Sequence, residues 1–289
     1  MFIIYPPGLN ENEWLSMLET SDDYREILKQ YRGTTAIFQT SAMNIAAKHG
    51  HLQIIKWLYK NNIDLSTNAV NFAATYGHLN IVRFLHENIS DNECDFTMDY
   101  ASARGHLDIV KWLHEHRSEG CTFHAMNWAA GNGHLHVVKW LHEHRTEGCT
   151  TDAMDWAAEN GHLDIVKWLH EHRIEGCTTN AMDNAAGNGH LDIVKWLHEY
   201  RTEGCSTWAF SYAIRGDHND IIEFLYNNYK HLITKVTDVT YMKLLPFIQE
   251  KFKKTFVKIE KENMVRDFIA KKLVYHPTSS YMKRIVDSF

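Results

Sequence analysis

The chain has 289 residues, 44% hydrophobic and 23% charged, which is ordinary for a folded protein in water, and no apolar run approaches the roughly 18–20 residues that a membrane-spanning helix needs. Its net charge of −6 is unevenly spread: residues 230–289 hold 13 Lys and Arg against 6 Asp and Glu, or +7, which leaves −13 for residues 1–229. The start, Met1-Phe2-Ile3-Ile4-Tyr5-Pro6-Pro7, lacks the basic lead and apolar length of a secretion signal, and five cysteines are an odd number, so a secreted disulfide framework is excluded and a cytoplasmic location is expected.

In chain order, Asn10-Glu11-Asn12-Glu13 leads into Trp14, Leu15, Met17 and Leu18, and Ser21-Asp22-Asp23 leads into Tyr24, Ile27 and Leu28. The pattern predicts a helical hairpin, and residues 1–40 are read as a helical cap. From residue 41 the chain repeats itself. Gly-His pairs begin at Gly50, Gly77, Gly105, Gly133, Gly161 and Gly189, 27 residues apart once and 28 thereafter, and a degraded copy is expected at Gly216-Asp217. A unit of 28 residues cannot enclose a core, so it must bury its apolar face against its neighbours; residues 41–229 are read as one repeat array.

The copy at 152–176 shows the grammar. Ala153, Met154, Ala157 and Ala158 mark the buried face of a short first helix, with Asp152 as expected N-cap and Asp155 as its capping-box partner. Gly161 ends that helix by taking a left-handed conformation. Leu163, Ile165, Val166, Trp168 and Leu169 then form the apolar stripe of a second helix, with Asp164, Lys167 and Glu171 on its wet side. The array contains no proline. Beyond it, residues 245–256, 262–275 and 279–287 read as amphipathic helices broken at Pro246 and Pro277, so residues 230–289 form a basic helical C-terminal cap or small module.

The order Ala-Ala-x-x-Gly-His-Leu-x-Ile-Val-Lys-x-Leu, seen at 157–169, resembles the two-helix core of the ankyrin repeat, and the likeness covers residues 41–229. It implies an all-α, ankyrin-like helical solenoid of about seven helix pairs with helical N- and C-terminal caps. The family's Thr-Pro-Leu-His opening is absent, and 28 residues replace the family's roughly 33, so stubby turns are expected in place of projecting fingers. The short variant resembles arrays abundant in large DNA viruses of amoebae.

Twenty histidines raise a metal hypothesis, above all His114-x-His116, His142-x-His144 and His170-x-His172. Residues two apart on a helix point about 200° apart, so such a pair cannot chelate one ion, and no metal site is expected. The Gly-His imidazoles are read as partners for loose backbone groups at the helix junction. Cys121, Cys149, Cys177 and Cys205 recur at the repeat interval as reduced, compact fillers. No P-loop, Gly-x-Gly-x-x-Gly or Gly-x-Ser-x-Gly sequence occurs, so no enzyme activity, cofactor or small-molecule substrate is expected. Trp57, Trp112, Trp140, Trp168 and Trp196 share the stripe of the core leucines and are read as core.

Copies differ at Trp128, Trp156, Asn184 and Tyr212, and at His124, Asp152, Asn180 and Trp208. The resemblance places the first helices on a concave face and implies partner-binding residues there: Tyr76, Tyr100, Arg104, Trp128, Asn132, Trp156, Glu159, Asn160, Asn184 and Asn188. Glu119, Glu147, Glu175 and Glu203 would add an acidic rim. The expected function is a protein-interaction scaffold with a basic and apolar partner; the alternative is a substrate adaptor whose C-terminal tail recruits a second complex such as a ubiquitin ligase. Membrane is not expected as a partner, and nucleic acid only through the basic tail.

Overall fold

The structure, a computed structural model, describes residues 36–60, 67–88, 96–117 and 120–235. The expected N-terminal hairpin and the three C-terminal helices lie outside the described residues. Fourteen α-helices and no strand occur among those described: α1 Ala36–Lys48, α2 Leu52–Lys60, α3 Thr67–Thr75, α4 Leu79–Asn88, α5 Thr97–Ala103, α6 Leu107–His116, α7 Phe123–Gly131, α8 Leu135–His144, α9 Asp152–Glu159, α10 Leu163–His172, α11 Thr179–Gly187, α12 Leu191–Tyr200, α13 Thr207–Arg215 and α14 Asn219–Tyr229. They make seven helix pairs, and a 3₁₀ turn follows at Lys230–Lys235. The chain divides into two compact units, Met1–Ala181 and Met182–Phe289, with the division falling inside α11.

In the first unit the odd-numbered helices pack in series, α1 on α3, α3 on α5, α5 on α7 and α7 on α9, while α2, α4 and α6 form a second layer behind them. Alanines let the first helices approach: Ala73, Ala74, Ala129, Ala130, Ala157 and Ala158 are all fully buried. Second helices contribute Ile, Val and Leu to the same interior, for example Ile165, Val166 and Leu169 from α10. In the second unit α13 pairs with α14 and α12 lies on α14, around Phe210, Ile214, Ile221 and Leu225.

The stripe of tryptophans departs from the core expectation. Only Trp112 is buried, whereas Trp57, Trp140, Trp168 and Trp196 are half-buried at the outer edge of the second helices. Trp140 and Trp168 each lie between histidines of their own and the preceding copy. His144 stacks on Trp140 at 4.5 Å and 6°, and His114 of the preceding copy meets the same ring edge-on at 5.2 Å.

The Gly-His junction joins two jobs in one dipeptide. Gly133 has φ +85°, which favours glycine, and a Cβ there would stand 2.7 Å from Cε1 of His162 in the next copy. The imidazoles bond loose carbonyls of the copy before: His78 Nε2 lies 3.0 Å from the Lys48 carbonyl oxygen and His106 Nε2 3.1 Å from that of Thr75. In the seventh copy the register differs from expectation. His218 Nε2 bonds the Gly187 carbonyl at 3.0 Å, and Asp217, not Gly216, takes the left-handed position with φ 54°. The motif there is Asp217-His218, which restores the 28-residue spacing.

Asp217 is the one non-glycine with positive φ among the described residues. Its side chain makes that conformation unfavourable. Asp217→Gly is therefore expected to raise stability by about 1 kcal/mol, read as a higher denaturation midpoint; an unchanged or lower midpoint contradicts this.

Helix starts also differ from the reading of copy 152–176. Thr150 Oγ1, not Asp152, accepts the bond that closes the start of α9, from the Asp152 N–H at 3.2 Å. Asp155 turns the other way. Its carboxylate, only 3% exposed, accepts from the Thr178 N–H at 2.8 Å and from the Thr178 hydroxyl at 2.6 Å, clamping the next copy. Asp99 holds Thr122 and Asp183 holds Ser206 in the same way. In the fourth copy Asn127 does this without a charge, donating to Thr150 Oγ1 at 2.8 Å and accepting from the Thr150 N–H at 3.0 Å.

Candidate docking face

With alanines and clamps turned inward, the residues left on the outside of the first helices of the first unit define a face. Tyr76, Tyr100 and Phe123 are 45%, 37% and 41% exposed, more than large rings on packed helices normally are. Trp128 on α7 is half-buried and parallel to Tyr100 on α5, with ring centroids 5.8 Å apart and planes at 28°. His124 stacks on Trp128 at 4.9 Å, and Phe123 lies against His124 at 4.2 Å. Four rings from two neighbouring copies thus form one continuous aromatic surface.

Trp156 on α9 is half-buried, and its Cβ would lie 3.0 Å from a Cβ at Gly131, so glycine at that point lets α9 close onto α7. Asn160 Nδ2 donates to the Gly131 carbonyl at 2.8 Å, so this amide braces two copies. Asn132 Nδ2 donates to the Trp128 carbonyl at 2.9 Å within its own helix end, and the rest of its side chain faces solvent. Arg104 is exposed just past the end of α5, four residues after Tyr100, and Glu159 is half-buried one turn from Trp156. Asn184, half-buried, and Asn188, exposed, belong to the second unit.

Phe96 and Phe123 were not among the sequence-predicted face residues. Both are exposed at helix starts; the copies aligned with Phe123 carry Thr151, Thr179 and Thr207, and those aligned with Phe96 carry His124, Asp152, Asn180 and Trp208. That mismatch between copies was the available signal. Trp208 at the start of α13 in the second unit, 56% exposed and stacked with Tyr212 at 5.5 Å, carries the same signature.

The expected acidic rim is absent at three of its four positions. Glu147, Glu175 and Glu203 each sit in a two-pronged ion pair with Arg145, Arg173 and Arg201, which neutralises the turns. Burial works against the Glu147 carboxylate, yet the Arg145 hydrogen bonds and charge hold it below the usual glutamate range. Glu119 lies outside the described residues. The Arg145 guanidinium also covers Gly120 of the copy before, where a Cβ would collide with Nη2.

Among the described residues, neither cysteines nor histidines assemble a reactive centre. Burial, and after it the charge of Glu147, pushes the Cys121 thiol up to about 12, and burial takes Cys205 to about 12, so both stay protonated and unreactive. Each His-x-His pair is split. His116 bonds the Trp112 carbonyl at 2.8 Å and stacks on that indole, while His114 Nδ1 lies 3.1 Å from Arg145 Nη1 in the next copy. Among the described residues no three His, Cys, Asp or Glu side chains group as metal ligands, and no helix is long and apolar enough to cross a membrane.

A family model described as ankyrin repeats, three copies, matches the chain in overlapping stretches at residues 21–97, 43–125, 98–183 and 156–236. No curated protein matches it.

Proposed function

The chain belongs to the ankyrin-repeat family, whose members generally act as protein-interaction modules, and from that premise we propose a non-catalytic scaffold that binds a partner protein along its first helices. In the family these helices line a concave face. The observation that carries the reading is the ring surface of Tyr100, Phe123, His124 and Trp128, held on helices whose other sides are packed. Exposed rings on rigid helices bring large contact area at little entropy cost, and such residues dominate binding energies. Tyr76, Arg104, Asn132, Trp156, Glu159 and Asn160 are the further candidates of the first unit, and Asn184 and Asn188 are candidates of the second unit by themselves.

Trp128→Ala combined with Trp156→Ala is expected to weaken the partner isolated by affinity capture at least tenfold in a titration, with the helical circular dichroism signal retained. Unchanged affinity contradicts the reading. The charge difference between residues 1–229 and 230–289 favours a second one, an adaptor in which the first helices select a client and the basic tail recruits another complex.

A further inference from the structure

Taking the docking face above as its premise, we propose that the Tyr100–Trp128 ring pair receives an arginine side chain from a basic, peptide-like segment of the partner. The chain already places cations over first-helix tyrosines. Lys48 Nζ lies 5.8 Å from the Tyr76 ring centroid, and in the second unit the Arg215 guanidinium lies 5.8 Å from that of Tyr212. Among the described residues the Tyr100 ring carries no such cation, although it is exposed and stacked on Trp128.

The charges around it point the same way. Helices α5, α7 and α9 hold no Lys or Arg; with Asp99 and Asp155 turned inward as clamps, Asp152 and Glu159 are the carboxylates left outside, and among the described residues Arg104, immediately after α5, is the cation that follows these helices most closely. The arginines of the turns are committed to their glutamates. A cationic segment is therefore drawn to this face, whereas phosphates of a nucleic acid are repelled by its carboxylates. Arginine fits better than lysine because a flat, weakly hydrated guanidinium lies parallel to an aromatic ring and sheds water at lower cost than an ammonium.

Random dodecapeptides displayed on phage and selected on the full-length chain are expected to be enriched in arginine. For the tightest of them, titrated as a labelled peptide, Tyr100→Leu removes the ring but keeps an apolar side chain and is expected to weaken binding about tenfold. Citrulline in place of the seated arginine should cause the same loss, and both changes together should cost no more than either alone. Selected peptides without arginine enrichment overturn the proposal, as does full affinity in Tyr100→Leu or with citrulline. If Tyr100→Leu does not fold, the citrulline comparison decides. Peptides that bind without arginine but are lost with Trp128→Ala leave the docking face standing and refute only the arginine. Peptides indifferent to Tyr100, Trp128 and Trp156, or no peptide at all, contradict both. Tyr100-dependent binding of a single-stranded oligonucleotide overturns the arginine assignment.

Discussion

Replacing Leu169 with alanine is expected to destabilise the chain by about 2 to 5 kcal/mol in chemical denaturation, the sum of lost transfer energy and the cavity left behind. Leu169 is 1% exposed and lies in α10 one turn beyond Ile165 and Val166, which are fully buried. Collapse around the hole is limited, because the neighbouring positions are alanines on helices already close together, Ala157 and Ala158 on α9 among them. A cost near zero would mean that the second helices do not share an interior with the first. Glu171, two residues on, is exposed, so Glu171→Ala should stay within about 0.5 kcal/mol and serves as the comparison.

The second large effect concerns the clamps. Asp183→Ala leaves the Ser206 N–H and hydroxyl, both bonded to that carboxylate, without their partner. At about 1–3 kcal/mol for each lost buried partner, the loss should be roughly 3 kcal/mol. Asp183→Asn should cost less than about 1 kcal/mol at neutral pH, because Asn127 holds Thr150 by the same two bonds with an amide. The pair of variants separates hydrogen bonding from charge.

Acidity gives the same clamp an independent signature. Burial raises the Asp183 carboxyl above its ordinary value of 3.8, only partly offset by the Ser206 hydrogen bonds. A raised folded pKa means the folded state holds the proton more tightly, so its stabilising contribution is complete below pH 3.8 and is lost as pH rises through the folded value. Asp183→Asn should therefore gain on the wild type as pH rises from about 4 toward neutrality, and a difference flat with pH contradicts the buried charge. Comparing the two chains at each pH cancels the histidines, one of which, His134, is held below its usual range by burial and the nearby His136 and His106.

Periodicity carried most of the fold. Gly161, His162, Ala157 and Leu169 each have a reason to recur that acts within one copy or between adjacent copies, so the helices and their buried faces were legible. The clamp was not, because Asp155 reaches a threonine 23 residues later and a capping box within its own helix fits the letters equally well. The tryptophans misled for a different reason. Spacing puts Trp168 on the stripe of Leu169, but spacing does not show which side chain of the preceding copy lies opposite, and His142 meets that ring edge-on at 5.2 Å. Charge counting also failed at the turns: Glu175 is acidic in composition and neutral in place, because Arg173 two residues earlier folds back onto it. The outward rings were legible only through differences between copies, and Phe96 and Phe123 belong to the same kind of mismatch.

The central claim is that recognition belongs to the outward side of the first helices while the second helices serve as scaffold. Hydrogen–deuterium exchange of the full-length chain with and without its captured partner tests this most directly. The account predicts added protection in α3, α5, α7 and α9 and little change in α4, α6, α8 and α10. Protection centred on the second helices, around His116, His144 and His172, would contradict it.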